Sequence, residues 1–230
     1  MSVYNSFAVQ FSQTREYLWD DIKPLLKYIK ENDKVLDIGC GNGRLYHVLE
    51  EKQVYPERGR GAFYTGLDLS EELVKIAKTK YPEISFVVGD MRRLPFGSAQ
   101  GKASFDEVFC VAAFHHLATA EERLQTLREM KRVVKQGGRI LLVNWNLLGK
   151  WGTEKVEKGD YKRFGNDFSV PWKNSAGKVL GERFYHAFTL DEIELLCKEV
   201  RLRVEQNLYS KKGIESDREN GENIITVLSY

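Results

Sequence analysis

The sequence predicts an α/β domain of the doubly wound kind, with a mostly parallel seven-stranded sheet covered by helices on both faces. Three observations predict it. Apolar runs of strand length alternate with amphipathic helical segments through most of the 230 residues, and such alternation with short connections builds a parallel sheet. A glycine-rich turn, Asp37-x-Gly39-x-Gly41-x-Gly43, joins the first strand to the helix after it. Acidic residues, Asp68 and Asp90, follow the second and third strands, at the sheet edge where open α/β folds bind their ligands.

Taken in order, Ile22, Leu25, Leu26 and Ile29 recur at helical spacing, with Pro24 near the start of the segment; the early N–H groups of a helix have no intrahelical partner, so proline is tolerated there. Residues 34–38 read as a buried strand and 44–52 as a helix. Strand 62–67, helix 71–80 and strand 84–88 follow, then a polar loop over 96–104 and a fourth strand over 105–111. Thr119 and Glu122 stand at capping-box spacing and open a helix that turns Leu124, Leu127, Met130 and Val134 inward. Gly137-Gly138 ends that helix before a fifth strand over 139–145. A second box, Thr189 and Glu192, opens a helix to about Glu199, and strands 202–209 and 223–229 close the sheet. Residues 146–186 are too long for a simple connection and read as an insert on the substrate side. The chain reads as one domain, 1–230, with residues 1–30 as an N-terminal cap.

Composition narrows the function classes. Hydrophobic residues make up 42% and charged residues 30% of the chain, so an ordered core is expected. A net charge of +2 argues against nucleic-acid binding by bulk electrostatics and leaves room for a local basic patch. Cys40, Cys110 and Cys197 are scattered without metal-ligand spacing, which points to a reducing cytoplasmic setting and no metal. The N-terminus has no charged and apolar regions of a signal peptide, and the longest apolar run, 139–145, is far short of a membrane span.

The glycine turn discriminates between ligands. A dinucleotide loop requires a third glycine at position 44, which is Arg44. The observed spacing suits a ligand with an amino-acid moiety, whose ammonium Asp37 is placed to hold; the alternative is a tight structural turn. Asp68 at the end of strand two can accept both hydroxyls of a ribose, with Leu69 beside it, or else cap the helix that begins near Ser70. Asp90 is placed for an adenine amino group, with Met91 against the ring and Val111 at the end of strand four on the same crevice.

These residues lie in VLDIGCGNGR, YTGLDLS, VVGDMRRLPF, FDEVFCVAAFHHL and RVVKQGGRILLVNW. Together they resemble the class I S-adenosylmethionine-dependent methyltransferases, which implies a Rossmann-like methyltransferase fold and S-adenosyl-L-methionine as cofactor. The flanks narrow the resemblance. VYNSF at 3–7, FSQTR at 11–15 with Trp19, His115-His116, FSVPW at 168–172 and RFYHAF at 183–188 are similar to the tRNA wobble-uridine carboxymethyl methyltransferases. That family methylates the carboxylate of a carboxymethyl group on a wobble uridine of tRNA, and its eukaryotic members use a small partner protein or are fused to an oxygenase. The sequence departs from the family at the strand-five exit, Asn144-Trp-Asn146, and in an additional stretch at 98–102.

A carboxylate with a pKa of roughly 4 is ionised at neutral pH, so its methylation needs no general base, only donors that aim an oxygen at the methyl group. Arginine is suited because its guanidinium grips a carboxylate with two parallel bonds. Arg15 and Arg183 are the candidates, with His116, Tyr185 and His186 as further donors. Each has a simpler reading: His115 and His116 as strand-end hydrogen-bonders, Arg183 as a surface ion-pair partner, Arg15 paired with Glu16 or Asp20, and Met91 as core. The insert holds eight basic and five acidic residues, an excess of three, interleaved with Trp151, Tyr161, Phe164, Phe168 and Trp172. That mixture suits unstacked RNA, and also a solvated lid. The leading expectation is methylation of tRNA. The alternatives are a small-molecule carboxylate, phenol or quinone-like acceptor, and a scaffold that binds cofactor without turnover.

Overall fold

The computed structural model describes residues 2–14, 19–51, 63–97 and 105–230. Arg15, the start of the second predicted strand, the last residue of the first predicted helix after the glycine turn and most of the 96–104 loop lie outside them. Among the described residues no helix is long and apolar enough to cross a membrane.

Strands β1 (Val35–Ile38), β2 (Tyr64–Asp68), β3 (Ser85–Val88), β4 (Phe105–Val111) and β5 (Val134–Trp145) run parallel in the order β3-β2-β1-β4-β5. An antiparallel edge completes the sheet, where β11 (Asn223–Ser229) pairs with β5 and with β9 (Arg203–Lys211). The sheet has eight strands rather than the seven expected. The extra one is β10 (Ile214–Ser216), which folds back on β9 through Lys212 and Gly213, both at positive φ.

Strand alternation divides the core. Leu36, Ile38, Val108, Cys110 and Leu142 face one layer with Phe114, Met130 and Phe188; Val35, Tyr64, Phe109, Leu141 and Val143 face the other with Ile22, Leu45 and Phe86. Each fully buried side chain of this size contributes roughly 1.5–3 kcal/mol, which is why the central strands carry apolar residues on both faces.

Helices α1 (Ala8–Gln13), α2 (Arg44–Glu51), α3 (Glu71–Lys80) and α4 (Ala120–Val133) precede the insert. The segment Asp20–Tyr28 is a 3-10 helix rather than an α-helix, with Pro24 in its interior; proline removes a backbone donor and crowds the preceding turn. The capping box at Thr119 and Glu122 is complete. The one at Thr189 is half formed, because the Glu192 carboxylate contacts His186 and Arg123 instead of the backbone. Gly137-Gly138 does not end α4, which stops at Val133. The pair forms an irregularity within β5: Gly137 has φ +79°, and a Cβ on Gly138 would lie 2.4 Å from the Asp106 carbonyl oxygen. Val134 is accordingly the first residue of the strand, and the α4 face turned inward includes Arg123, buried on the carbonyls of Leu117 and Ala118.

The insert is a structured unit. Helix α5 (Lys150–Glu157) is followed by an antiparallel sheet of β6 (Lys162–Phe164), β7 (Asp167–Lys173) and β8 (Val179–His186), and α6 (Leu190–Glu199) returns the chain to the main sheet. Its own core joins Leu147, Phe168, Val170, Tyr185 and Ala187. Thus Phe168 is an internal side chain, Trp172 stacks on Phe7 at 5.2 Å, and Trp151 meets Trp145 edge to face. Of the insert aromatics, Phe164 alone is well exposed, at 66%. Much of the insert's charge is paired as well: Lys155 with Asp160, Lys158 with Glu154 and Lys162 with Glu182.

Candidate active site

A cavity of about 470 Å³ opens where the carboxyl ends of the parallel strands meet the N-terminal segment and β8. One part is built by the glycine turn. Gly39 and Gly41 line it at φ +76° and +56°, a region open to glycine without strain. The Gly39 and Cys40 N–H groups donate to the Leu67 carbonyl, pinning the turn to the end of β2. A Cβ on Gly39 would sit 2.3 Å from that of Ala113, so the close approach itself requires glycine.

Asp68 stands at the centre of this half. Its two oxygens accept the N–H groups of Gly41 at 2.9 Å and Ser70 at 2.8 Å. Burial pushes its pKa up, opposed by those backbone donors. Ser70, not Asp68, caps α3 through its hydroxyl. Leu69 lines the cavity while 51% exposed, an apolar surface suited to a flat ring, and Met91 and Val111 line it too. Asp90 reaches the cavity, but its carboxylate is already held by Arg92, which keeps its pKa below the usual value.

The structure does not bring Asp37 or Gly43 to the cavity. Asp37 points into the sheet layer that holds Tyr64, whose hydroxyl donates to it at 2.6 Å. Burial pushes its pKa up to about 7, against the pull of Tyr64 and Arg44. Gly43 serves packing, since a Cβ there would lie 3.1 Å from Tyr81 and Phe86.

The other part of the cavity collects Tyr4, His116, Trp145, Arg183 and Tyr185. Arg183 is 6% exposed, lies over the rings of Trp172 and Tyr185, and donates from Nη1 to the Tyr185 hydroxyl at 2.8 Å. Its Nε has no hydrogen-bond partner, and among the described residues no carboxylate is paired with it. The surface ion-pair reading of Arg183 therefore fails: it is an internal cation facing a cavity. His116 contacts the Tyr4 hydroxyl through Nε2 at 2.9 Å and the Phe184 carbonyl through Nδ1 at 2.7 Å. Both nitrogens are engaged, and burial lowers its pKa to about 4. It is thus not a free donor for a ligand. His115 is fully buried and accepts the Trp145 N–H. His186 does not line the cavity, because Asp167 at 2.6 Å and Glu192 at 2.8 Å hold its two nitrogens where β8 meets α6.

Sequence reasoning gave no role to Tyr4 or Trp145. The aromatic stretch 3–7 was the available signal for Tyr4.

Comparison with known proteins agrees with this arrangement. The family described as "Methyltransferase domain" matches residues 36–142. That family covers just under half of the chain. The match spans the glycine turn, Asp68, Asp90 and the His115-His116 pair, and the cavity offers what S-adenosylmethionine would need: a carboxylate able to take a ribose, apolar side chains open to a flat ring, and glycines where a ligand can approach backbone. The chain is 33% identical over 156 residues to the tRNA (carboxymethyluridine(34)-5-O)-methyltransferase of Arabidopsis thaliana, covering 65% of this chain and 35% of that protein. It is 29% identical over 170 residues to the Saccharomyces cerevisiae protein of the same name, covering 74% and 54%. The chain therefore spans only about a third to a half of the length of these two relatives. Its fold matches the putative methyltransferase of Haloferax volcanii, solved in complex with the Trm112 methyltransferase activator. The TM-score is 0.66 at 20% identity, over 98% of this chain and 95% of that one.

Proposed function

We propose that the protein is an S-adenosylmethionine-dependent methyltransferase that transfers a methyl group to a carboxylate, and that the acceptor is a carboxymethyl group on a wobble uridine of tRNA. The observation that carries this reading is Arg183, an internal guanidinium with an unpartnered Nε and, among the described residues, no carboxylate paired with it, lining the same cavity as the glycine turn. A buried cation without a counter-ion is costly, and an anionic acceptor removes that cost on arrival. S-adenosylmethionine, when bound, supplies an electrophilic methyl group. Arg183 aims one oxygen of the acceptor through two parallel hydrogen bonds, and the aromatic walls at Trp145 and Tyr185 exclude water that would compete for them. No residue has to remove a proton, which agrees with a His116 that is neutral and fully engaged.

The tRNA part of the proposal is supported by the names of the relatives. A small activating protein belongs to the same reading, by analogy with the Haloferax complex, and so does the cytoplasm. The ion pairs at Lys155, Lys158 and Lys162 favour a second reading, methylation of a small carboxylic acid, because they leave less free positive charge on the insert for phosphates. The experiment is methyl transfer from labelled S-adenosylmethionine to tRNA bearing carboxymethyl-uridine, set against a pool of small carboxylic acids, with and without a Trm112-type activator. Base-labile label in tRNA is the expected result; label in the small acids alone, with activator present, overturns the tRNA assignment.

A further inference from the structure

The contacts around His116 fix the direction of every hydrogen in a chain that ends at Arg183. The Phe184 carbonyl can only accept, so His116 Nδ1, at 2.7 Å, carries the proton. In the neutral ring Nε2 is then bare, and the Tyr4 hydroxyl at 2.9 Å donates to it. Tyr185 accepts from Arg183 Nη1 at 2.8 Å, and the Tyr4 hydroxyl, whose donor is already committed to His116, faces both the Tyr185 hydroxyl and the Arg183 guanidinium with only lone pairs to offer. Donation therefore runs from Arg183 and Tyr185 toward Tyr4, and from Tyr4 through His116 to the Phe184 carbonyl. Burial raises the pKa of both phenols, so both remain neutral. The rings are packed to hold this order, with His116 and Tyr185 centroids 4.4 Å apart and Tyr4 edge-on to His116 at 5.6 Å.

We infer that Tyr4 and His116 are positioning residues for the acceptor, forming with Tyr185 a one-way hydrogen-bond relay that solvates the Arg183 guanidinium with phenol lone pairs instead of a counter-ion. A carboxylate partner would compete with the acceptor for the guanidinium. A neutral relay orients it and leaves its charge for the incoming anion. Tyr4 belongs to the 3-10 helix Val3–Phe7, which is held by the Ser70 hydroxyl on Asn5 and by Phe7 stacked on Trp172. Docking of the N-terminal segment thereby becomes a condition for an aligned arginine.

The inference rests on the proposed carboxylate acceptor, and its test separates the two. Histidine-selective 15N spectra of the wild-type protein, with His116 assigned by its loss in His116→Leu, report the tautomer without any acceptor. The Nδ1–H form is expected, unchanged from pH 8 to pH 5.5; the Nε2–H form overturns the relay. Among the described residues the groups facing His116 are Tyr4, Tyr185, Arg183 and His115, none of them a carboxylate that would hold a proton on it. On the acceptor, Tyr4→Phe is expected to lower kcat/KM at least 10-fold with cofactor affinity intact. The double variant with His116→Leu should be no worse than the poorer single variant, because both break one chain. Wild-type turnover in Tyr4→Phe, or losses that multiply, overturns the positioning role. If wild-type protein methylates no carboxymethyl-uridine tRNA, the functional proposal fails, and the tautomer alone decides whether the relay exists.

Discussion

Replacing Arg183 with methionine should abolish activity and raise stability together. The side chain is 6% exposed, has only neutral phenols as polar side-chain partners, and leaves Nε unpartnered. A buried donor without a partner costs about 1–3 kcal/mol, so a methionine of similar volume is expected to stabilise by about that amount. For a domain of this size each kcal/mol moves the midpoint by about 2–4 °C, giving a rise of roughly 2–12 °C in the ligand-free protein. The functional loss is larger. Two charge-assisted hydrogen bonds to the acceptor, at about 1.5–3 kcal/mol each, correspond to roughly 10²–10⁴-fold in kcat/KM. Arg183→Lys retains charge but not the planar fork, and should lose about one bond's share, roughly 10–100-fold. The assay is initial-rate methyl transfer beside calorimetric melting and cofactor titration. A lower midpoint with activity falling in proportion would mean that Arg183 is a structural pillar, and full activity in Arg183→Lys would refute two-pronged recognition.

Asp68→Ala should weaken S-adenosylmethionine and its demethylated product alike, by about 1–3 kcal/mol for the lost hydroxyl bonds, because the carboxylate also fixes the Gly41 N–H; isothermal titration checks this, and equal affinity in the variant refutes it. Stability should fall as pH rises from about 4 to 8. Asp37 is raised from 3.8 to about 7 and Glu107 from 4.5 to about 8, each chiefly by burial. Their folded forms hold the proton longer than the unfolded chain does, so stability is full below the unfolded values and declines until the folded ones are passed. Melting across that range tests it, and Glu107→Gln should flatten the upper part, at about 1.4 kcal/mol per pH unit removed. Reversing Lys173 and Lys178 to Glu should reduce tRNA affinity and its salt dependence more than reversing Lys155 and Lys158, which are already neutralised by Asp160 and Glu154; equal effects measured by filter binding would refute the distinction.

What could be read without coordinates was whatever depends on neighbours in the chain. The alternation of β1 to β5 with their helices, the positive-φ glycines at 39 and 41 and the Thr119 box follow from local periodicity and backbone sterics, and all are present. Arg183 was named for its chemistry, as the side chain that matches a carboxylate, but the sequence left open a surface ion pair. Its burial between Trp172 and Tyr185 depends on strands pairing across the insert.

The remainder turned on packing between segments far apart in sequence. Asp37 satisfies every sequence criterion for a ligand residue, yet Tyr64, 27 positions on, takes its carboxylate first. His186 is captured by Asp167 and Glu192, and the insert lysines by acids of the same unit. His116 looked like a donor until Tyr4, 112 residues away, and the Phe184 carbonyl occupied both of its nitrogens. A residue type states which bonds a side chain can make. Which of them it has left for a ligand is settled by the polar groups that folding brings within 3 Å, because a buried donor or acceptor takes the nearest partner rather than wait for one.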